Sequence, residues 1–164
     1  MHEPIKVDPS AIESHLKQLT AAAKTLNELS DTLTTQVGQI ETIVNALNLG
    51  VRASVQVETL SLSEDRMCRQ WLQLGYGKSG NKWGFIVEEL FRDLNNPDRD
   101  DYDGWPFKEA PREFRIKAVD KIPELLEALV KKSAEVASDI TKRVEYAKDI
   151  ASNLYKLALD GPKK

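Results

Sequence analysis

The sequence has one cysteine, Cys68, and two histidines, His2 and His15. A single thiol excludes an internal disulfide, and one thiol with two imidazoles falls short of a tetrahedral zinc site. No apolar run approaches the roughly 20 residues of a membrane-spanning helix. The N-terminal Met1-His2-Glu3-Pro4 lacks the basic-then-apolar pattern of a secretory signal. These absences predict a cytoplasmic protein with no membrane association. An excess of positive charge is also missing: the formal net charge of −3 argues against a general nucleic-acid or anionic-membrane binder.

What is present is a long heptad pattern. With 41% hydrophobic residues in 164, the chain can bury one core, which predicts a single domain over 1–164. Residues 1–9 read as an arm broken by Pro4 and Pro9. Asp8 is placed to cap a helix whose first residue is Pro9, where the missing N–H costs nothing. That helix is predicted over 10–49. Its apolar positions step by four and three from Ile12 through Leu16, Leu19, Ala23 and Leu26 to Leu47, and only Ser30 is polar. At about 1.5 Å per residue it is on the order of 55 Å long.

Residues 51–92 switch to a period of two. Val51, Ala53, Val55 and Val57 alternate with polar neighbours, and the phase flips at Leu60 and Leu62, which places a strand end or bulge near Thr59. Two further apolar runs, Trp71 to Tyr76 and Trp83 to Phe91, flank a glycine-rich turn and predict a hairpin. The expectation is a three-stranded antiparallel meander, with a fourth strand if residues 60–67 pair separately. Residues 93–110 carry Asn95, Asn96, Pro97, several aspartates and Gly104, and read as a long acidic loop pinned to the sheet by Trp105 and Phe107.

From residue 111 to 159 the helical period returns, with a kink or break expected at Pro123. The stripe runs from Ile122 through Leu129, Val136, Ile140, Val144 and Ala151 to Ala158. The predicted fold class is α+β: a long antiparallel helical hairpin of coiled-coil or bundle type, with a small antiparallel sheet inserted at one end. Its expected register sets Leu16 against Leu154, Ala23 against Ala147 and Leu26 against Val144. The layout is similar to that of prefoldin subunits, whose two helices form a stalk with β-hairpins at its base. That resemblance is one of topology and carries no residue roles.

Both helices have apolar side chains beside the seam, Leu29 and Ile43 on the first and Leu125, Ile150 and Leu157 on the second. A two-helix pair needs only the seam itself, so this width predicts a homo-oligomer, with a four-helix bundle from two chains as the smallest symmetric form.

The motifs that resemble chemistry do not complete it. Gly75-Tyr76-Gly77-Lys78-Ser79-Gly80 matches the spacing of a dinucleotide loop but lies between two expected strands, whereas that loop must open a helix. The acidic stretch near Asp101, Asp103 and Gly104 resembles an EF-hand loop, yet the first ligand position falls on Arg99 and the twelfth on Ala110. Adjacent acids such as Glu88 and Glu89 point to opposite faces of a strand. Cys68 has no histidine near it in sequence and reads as a packing residue. Arg66, Arg69, Lys78, Lys82 and Arg92 accompany Trp71, Tyr76 and Trp83, but the segment is nearly neutral, and the tryptophans read as sheet core.

The sequence therefore assigns no catalytic, cofactor-binding or metal-ligating residue and no cofactor. The expected function is an oligomeric protein-interaction or scaffold module, a helical stalk presenting a small sheet to a protein partner. The alternative is a small enzyme or ligand-binding domain whose site, between sheet and acidic loop, is lined by Trp83, Trp105 and Phe107. A one-sided array of exposed arginines and aromatics would instead raise nucleic-acid binding through the sheet.

Overall fold

A computed structural model describes residues 8–159, so most of the N-terminal arm and the helix stop at Gly161 and Pro162 lie outside the described residues. The protein is α+β. Helix α1 covers Pro9–Ala46, followed by strands β1 Ala53–Leu62, β2 Cys68–Ser79, β3 Lys82–Asp93 and β4 Asp101–Pro106, then helices α2 Arg112–Val119 and α3 Ile122–Leu159. The chain divides into two compact units, one ending at Ile43 and the other starting at Val44.

The first unit is the greater part of α1. Asp8 caps it as expected: its Oδ1 accepts from Ser10 N at 3.0 Å and Ser10 Oγ at 2.8 Å. These bonds hold the Asp8 carboxyl below the ordinary carboxylate range, the side-chain hydroxyl contributing most. Threonine is a poor helix former, and here Thr20, Thr25, Thr32, Thr34 and Thr35 each donate to the carbonyl four residues back. The helix ends at Ala46, before the expected boundary, and Asn48 (φ 50) and Gly50 (φ 64) turn the chain away in left-handed conformation.

In the second unit the four strands form one antiparallel sheet in sequence order. The expected phase flip in β1 appears as two irregularities, between Gln56 and Glu58 and between Thr59 and Ser61. Bulges bend and twist an edge strand, which keeps it from pairing with another chain. The β2–β3 hairpin closes on Gly80 and Asn81, with Ser79 opposite Lys82 and Gly80 at φ 59. A glycine at the first of two central positions is the requirement of a type II′ turn.

Residues 93–110 are not a loop throughout. Asp101–Pro106 is a fourth strand, with Val87 opposite Trp105 and Glu88 opposite Gly104. Pairing with β3 satisfies a backbone whose aspartates, glycine and proline disfavour a strand in isolation. Before it, the carboxylate of Asp93 is only 4% exposed and organises the bend: Oδ1 accepts from Asn95 N at 3.0 Å and Asn96 N at 3.2 Å, and Arg99 Nη1 reaches Oδ2 at 3.3 Å. The C-terminal helix is broken rather than kinked. α2 ends at Val119, α3 starts at Ile122, and Pro123 falls in the first turn of α3, where proline is tolerated.

Alternation sorts the sheet residues onto two faces. One face carries Leu72, Leu74, Tyr76, Phe85 and Val87, all at most 3% exposed. α3 contacts β1 and β2, and α2 contacts β2 and β3. Ile122, Leu125 and Leu129 bring the first three turns of α3 into this core, joined by Phe107, Ala110 and Ala118. The last turn of α1 is tied to the same layer through Asn45, whose Nδ2 donates to Trp83 O at 3.1 Å while its Oδ1 accepts from Tyr76 Oη at 2.7 Å.

Candidate functional site

The opposite face of the sheet is open and follows from the same alternation. Three of the rows of cross-strand neighbours that cross it carry most of its polar and aromatic side chains. The first is Leu62, Arg69 and Arg92; the second Thr59, Trp71, Leu90 and Tyr102; the third Gln56, Gln73, Glu88 and Gly104. Each row has its own chemistry.

The first row borders a basin of about 580 Å³ lined by Arg66, Arg69 and Arg92 together with Leu62, Met67, Trp71 and Leu94. The guanidinium of Arg69 lies 5.0 Å from the centre of the Trp71 ring, and its Nη2 also donates to Gln56 Oε1. Arg92 Nε stands 3.6 Å from Asp100 Oδ2. Arg66 belongs to the turn between β1 and β2. There Asp65 Oδ1 accepts from Met67 N at 3.0 Å, and Arg66 N donates to Ser63 O at 2.9 Å. This closed turn holds Arg66 at φ 60, unusual for a residue with a Cβ. The Ser63 hydroxyl first, and then Met67 N, hold the Asp65 carboxyl below its ordinary range.

The second row opens a contiguous basin of about 430 Å³, which shares Trp71 and Arg92 with the first and is bounded beyond them by Asp100, Asp101 and Tyr102. The third row is internally satisfied. Gln73 Nε2 donates to Glu88 Oε2 at 2.5 Å and Tyr102 Oη donates to Glu88 Oε1 at 2.9 Å. Desolvation, then the bond to Glu88 and its charge, push the Tyr102 phenol up to about 12. Next to it, a trough of about 290 Å³ runs over Gly75 and Gly77 between Arg52, Lys78 and Glu88, and Arg52 Nη2 donates to Lys78 O at 3.1 Å.

The structure separates residues that the sequence groups together. Gly75 and Gly77 lie inside β2 and Gly80 is in the hairpin turn, so the glycine motif opens no helix. Glu88 and Glu89 fall on opposite faces, Glu89 accepting from Gln70 and Glu88 from Gln73. The cationic and aromatic residues split as well. Trp83 stacks on Tyr76 in the covered layer, at 5.5 Å between rings and 26° between planes, whereas Trp71 is on the open face and is not sheet core. Of the three side chains expected to line a pocket, Phe107 is buried, Trp105 meets Phe114 at 6.1 Å, and Trp83 stacks on Tyr76. Cys68 is half-buried on the covered face, where desolvation and then the charge of Asp93 push its thiol up, the opposite of nucleophile activation.

Arg69 opposite Arg92 is the pairing that composition conceals. Counting back along both strands from a two-residue turn at Gly80-Asn81 sets these two residues face to face. Among the described residues no cluster of three or more His, Cys, Asp or Glu could hold a metal, and no helix is long and apolar enough to cross a membrane. The chain matches no protein-family model, no curated protein and no solved structure.

Proposed function

We propose that the protein is an oligomeric interaction module, a dimer in its simplest form, which self-associates through its long helices and presents the open sheet face to a protein partner in the cytoplasm. The observation that carries this reading is the exposure of the heptad stripes in the single chain. On α1, Leu26 is 50% exposed and Leu19 65% exposed, with Ile12 and Leu16 between these values. On α3, Ile140, Val144, Ile150, Leu154 and Leu157 are all at least 43% exposed.

Each such side chain presents on the order of 100 Å² of surface, worth about 2 kcal/mol when covered. Each stripe by itself presents about 400–500 Å² of apolar surface, as much as the largest patch of an ordinary monomer and characteristic of an interaction site. A second copy of the chain is the occupant that fits. The heptad spacing is self-complementary, so each stripe can pair with a stripe of a second copy. The lone Cys68 needs no oxidising compartment, in keeping with the cytoplasm.

Light scattering on the full chain at tens of micromolar tests the reading. The expected mass is twice 18.5 kDa or a higher multiple. A monomer under these conditions overturns it.

A further inference from the structure

We infer that the arginine-lined basin on the open sheet face binds an acidic segment of a partner protein, with carboxylates on the guanidinium groups and an adjacent apolar side chain against Trp71. This rests on the interaction-module reading and specifies the chemistry of the partner.

The basin is assembled against local preference. Arg69 and Arg92 are directly opposed on one face, and like charges in that position destabilise a sheet. Arg66 adds a third guanidinium from a left-handed backbone position, which L-residues avoid. Asp100 beside Arg92 offsets part of this charge and leaves the basin cationic. The remaining lining is apolar, and Leu62 and Leu94 are each more than half exposed.

Arginine, tryptophan and methionine are among the residue types enriched at protein interfaces. A guanidinium fork matches the two oxygens of a carboxylate. The volume lies within the range of about 300–1,000 Å³ usual for ligand sites. An occupant must therefore carry negative charge next to an apolar group.

A nucleic-acid strand fits less well. Past Trp71 the surface continues between Asp100 and Asp101, which repel a polyphosphate crossing the sheet, and the whole chain carries −3. A peptide can place its charge at the arginines and none at the aspartates.

The test is an NMR titration of the full-length protein with the acetylated, amidated peptide Gly-Glu-Asp-Phe-Gly. The controls are its Gln-Asn counterpart, oligothymidylate and inorganic phosphate. The peptide should shift the Trp71 indole N–H and the side-chain N–H signals of Arg66, Arg69 and Arg92, leaving Trp83 and Trp105 in place. Loss of the two charges should weaken binding at least tenfold.

Arg66→Gly separates recognition from folding. It should raise Tm by about 1–3 °C, because glycine accepts the left-handed backbone, and weaken the peptide about tenfold. Equal binding of the uncharged peptide, tighter binding of oligothymidylate or phosphate at the same signals, or no shift at millimolar peptide would each overturn the inference. A dimer that ignores the peptide removes the basin assignment alone, and a monomer that binds it removes the oligomer alone.

Discussion

Tyr102 and Gly104 lie two residues apart on one face of β4, and the phenol folds back across the glycine. A Cβ built at Gly104 would stand 2.3 Å from the Tyr102 oxygen and 2.7 Å from its Cζ. No such contact can persist, so Gly104→Ala must swing the Tyr102 ring outward. The clash falls on the far end of a flexible side chain on the edge strand, so the backbone need not move. What is lost is the 2.9 Å hydrogen bond from Tyr102 Oη to Glu88 Oε1, together with the partial burial of the phenol.

Those same features push the Tyr102 phenol up from 10.0 to about 12. Returned to water it should titrate near its ordinary value, a fall of as much as about two units. Because the folded state holds this proton more tightly than the unfolded chain, the stabilisation is complete below pH 10 and is lost as pH rises toward 12. Tyr102 is 55% exposed, so solvent screening reduces that stabilisation to about 1 kcal/mol or less. Alanine in place of glycine in a strand returns roughly 0.5–1 kcal/mol through the unfolded state. The net change should therefore stay within about 1 kcal/mol, or about 2–4 °C in Tm. The Tyr102 ring signals followed by NMR against pH in the parent and the variant measure its midpoint. A Tyr102 midpoint that does not fall in Gly104→Ala refutes the reasoning, as does a loss of Tm far beyond that range.

Leu125 is fully buried, so Leu125→Ala should cost about 2–5 kcal/mol, read as a shifted denaturant midpoint at constant slope. Asn45→Ala removes the bonds to Trp83 O and Tyr76 Oη, and should cost about 1–3 kcal/mol in the same assay. Leu16→Glu combined with Leu19→Glu removes two exposed stripe residues worth about 2 kcal/mol each in an interface. Both chains of a dimer carry the change, so about 8 kcal/mol is lost and sedimentation should show the dissociation constant raised about a millionfold, leaving only monomer, with the tryptophan environment of the sheet unchanged.

The parts of the fold that were legible in the sequence are those with a local physical cause. Asp8 before Pro9 marked the start of α1, Pro123 marked a kink or break in the C-terminal helix, and the glycine-rich stretch Gly77 to Asn81 marked a hairpin, whose turn is shorter than that stretch because Gly77 to Ser79 pair within β2. Strand β4 was hidden because Asp101, Asp103, Gly104 and Pro106 all disfavour strand, and only the pairing of Trp105 opposite Val87 and its neighbours makes it one. The face of Trp71 was hidden for a different reason. Trp71 and Leu72 are consecutive apolar residues, so both phases of the strand look hydrophobic until the complete burial of Leu72 and Leu74 assigns the core. The opposition of Arg69 and Arg92 follows only once pairing through Ser79 narrows the turn to Gly80-Asn81, which the broader glycine-rich stretch does not fix. The position of Arg66 was not legible either, because it depends on the hydrogen bonds of Asp65 within a closed turn.

The two surfaces draw on different forces, and this makes them separable. The stripes of α1 and α3 are apolar, and burial of apolar surface is not weakened by screening. The basin depends on guanidinium groups at a solvent-accessible face: the side chain of Arg92 is 60% exposed, and its pair with Asp100 bounds the charge available to a ligand. At 0.1 M salt the screening length is about 10 Å, and at 1 M about 3 Å. Raising salt over that range should therefore release an acidic peptide from the basin and leave the oligomer intact. If the oligomer dissociates with salt while the peptide stays bound, the roles assigned to the helices and the sheet are reversed.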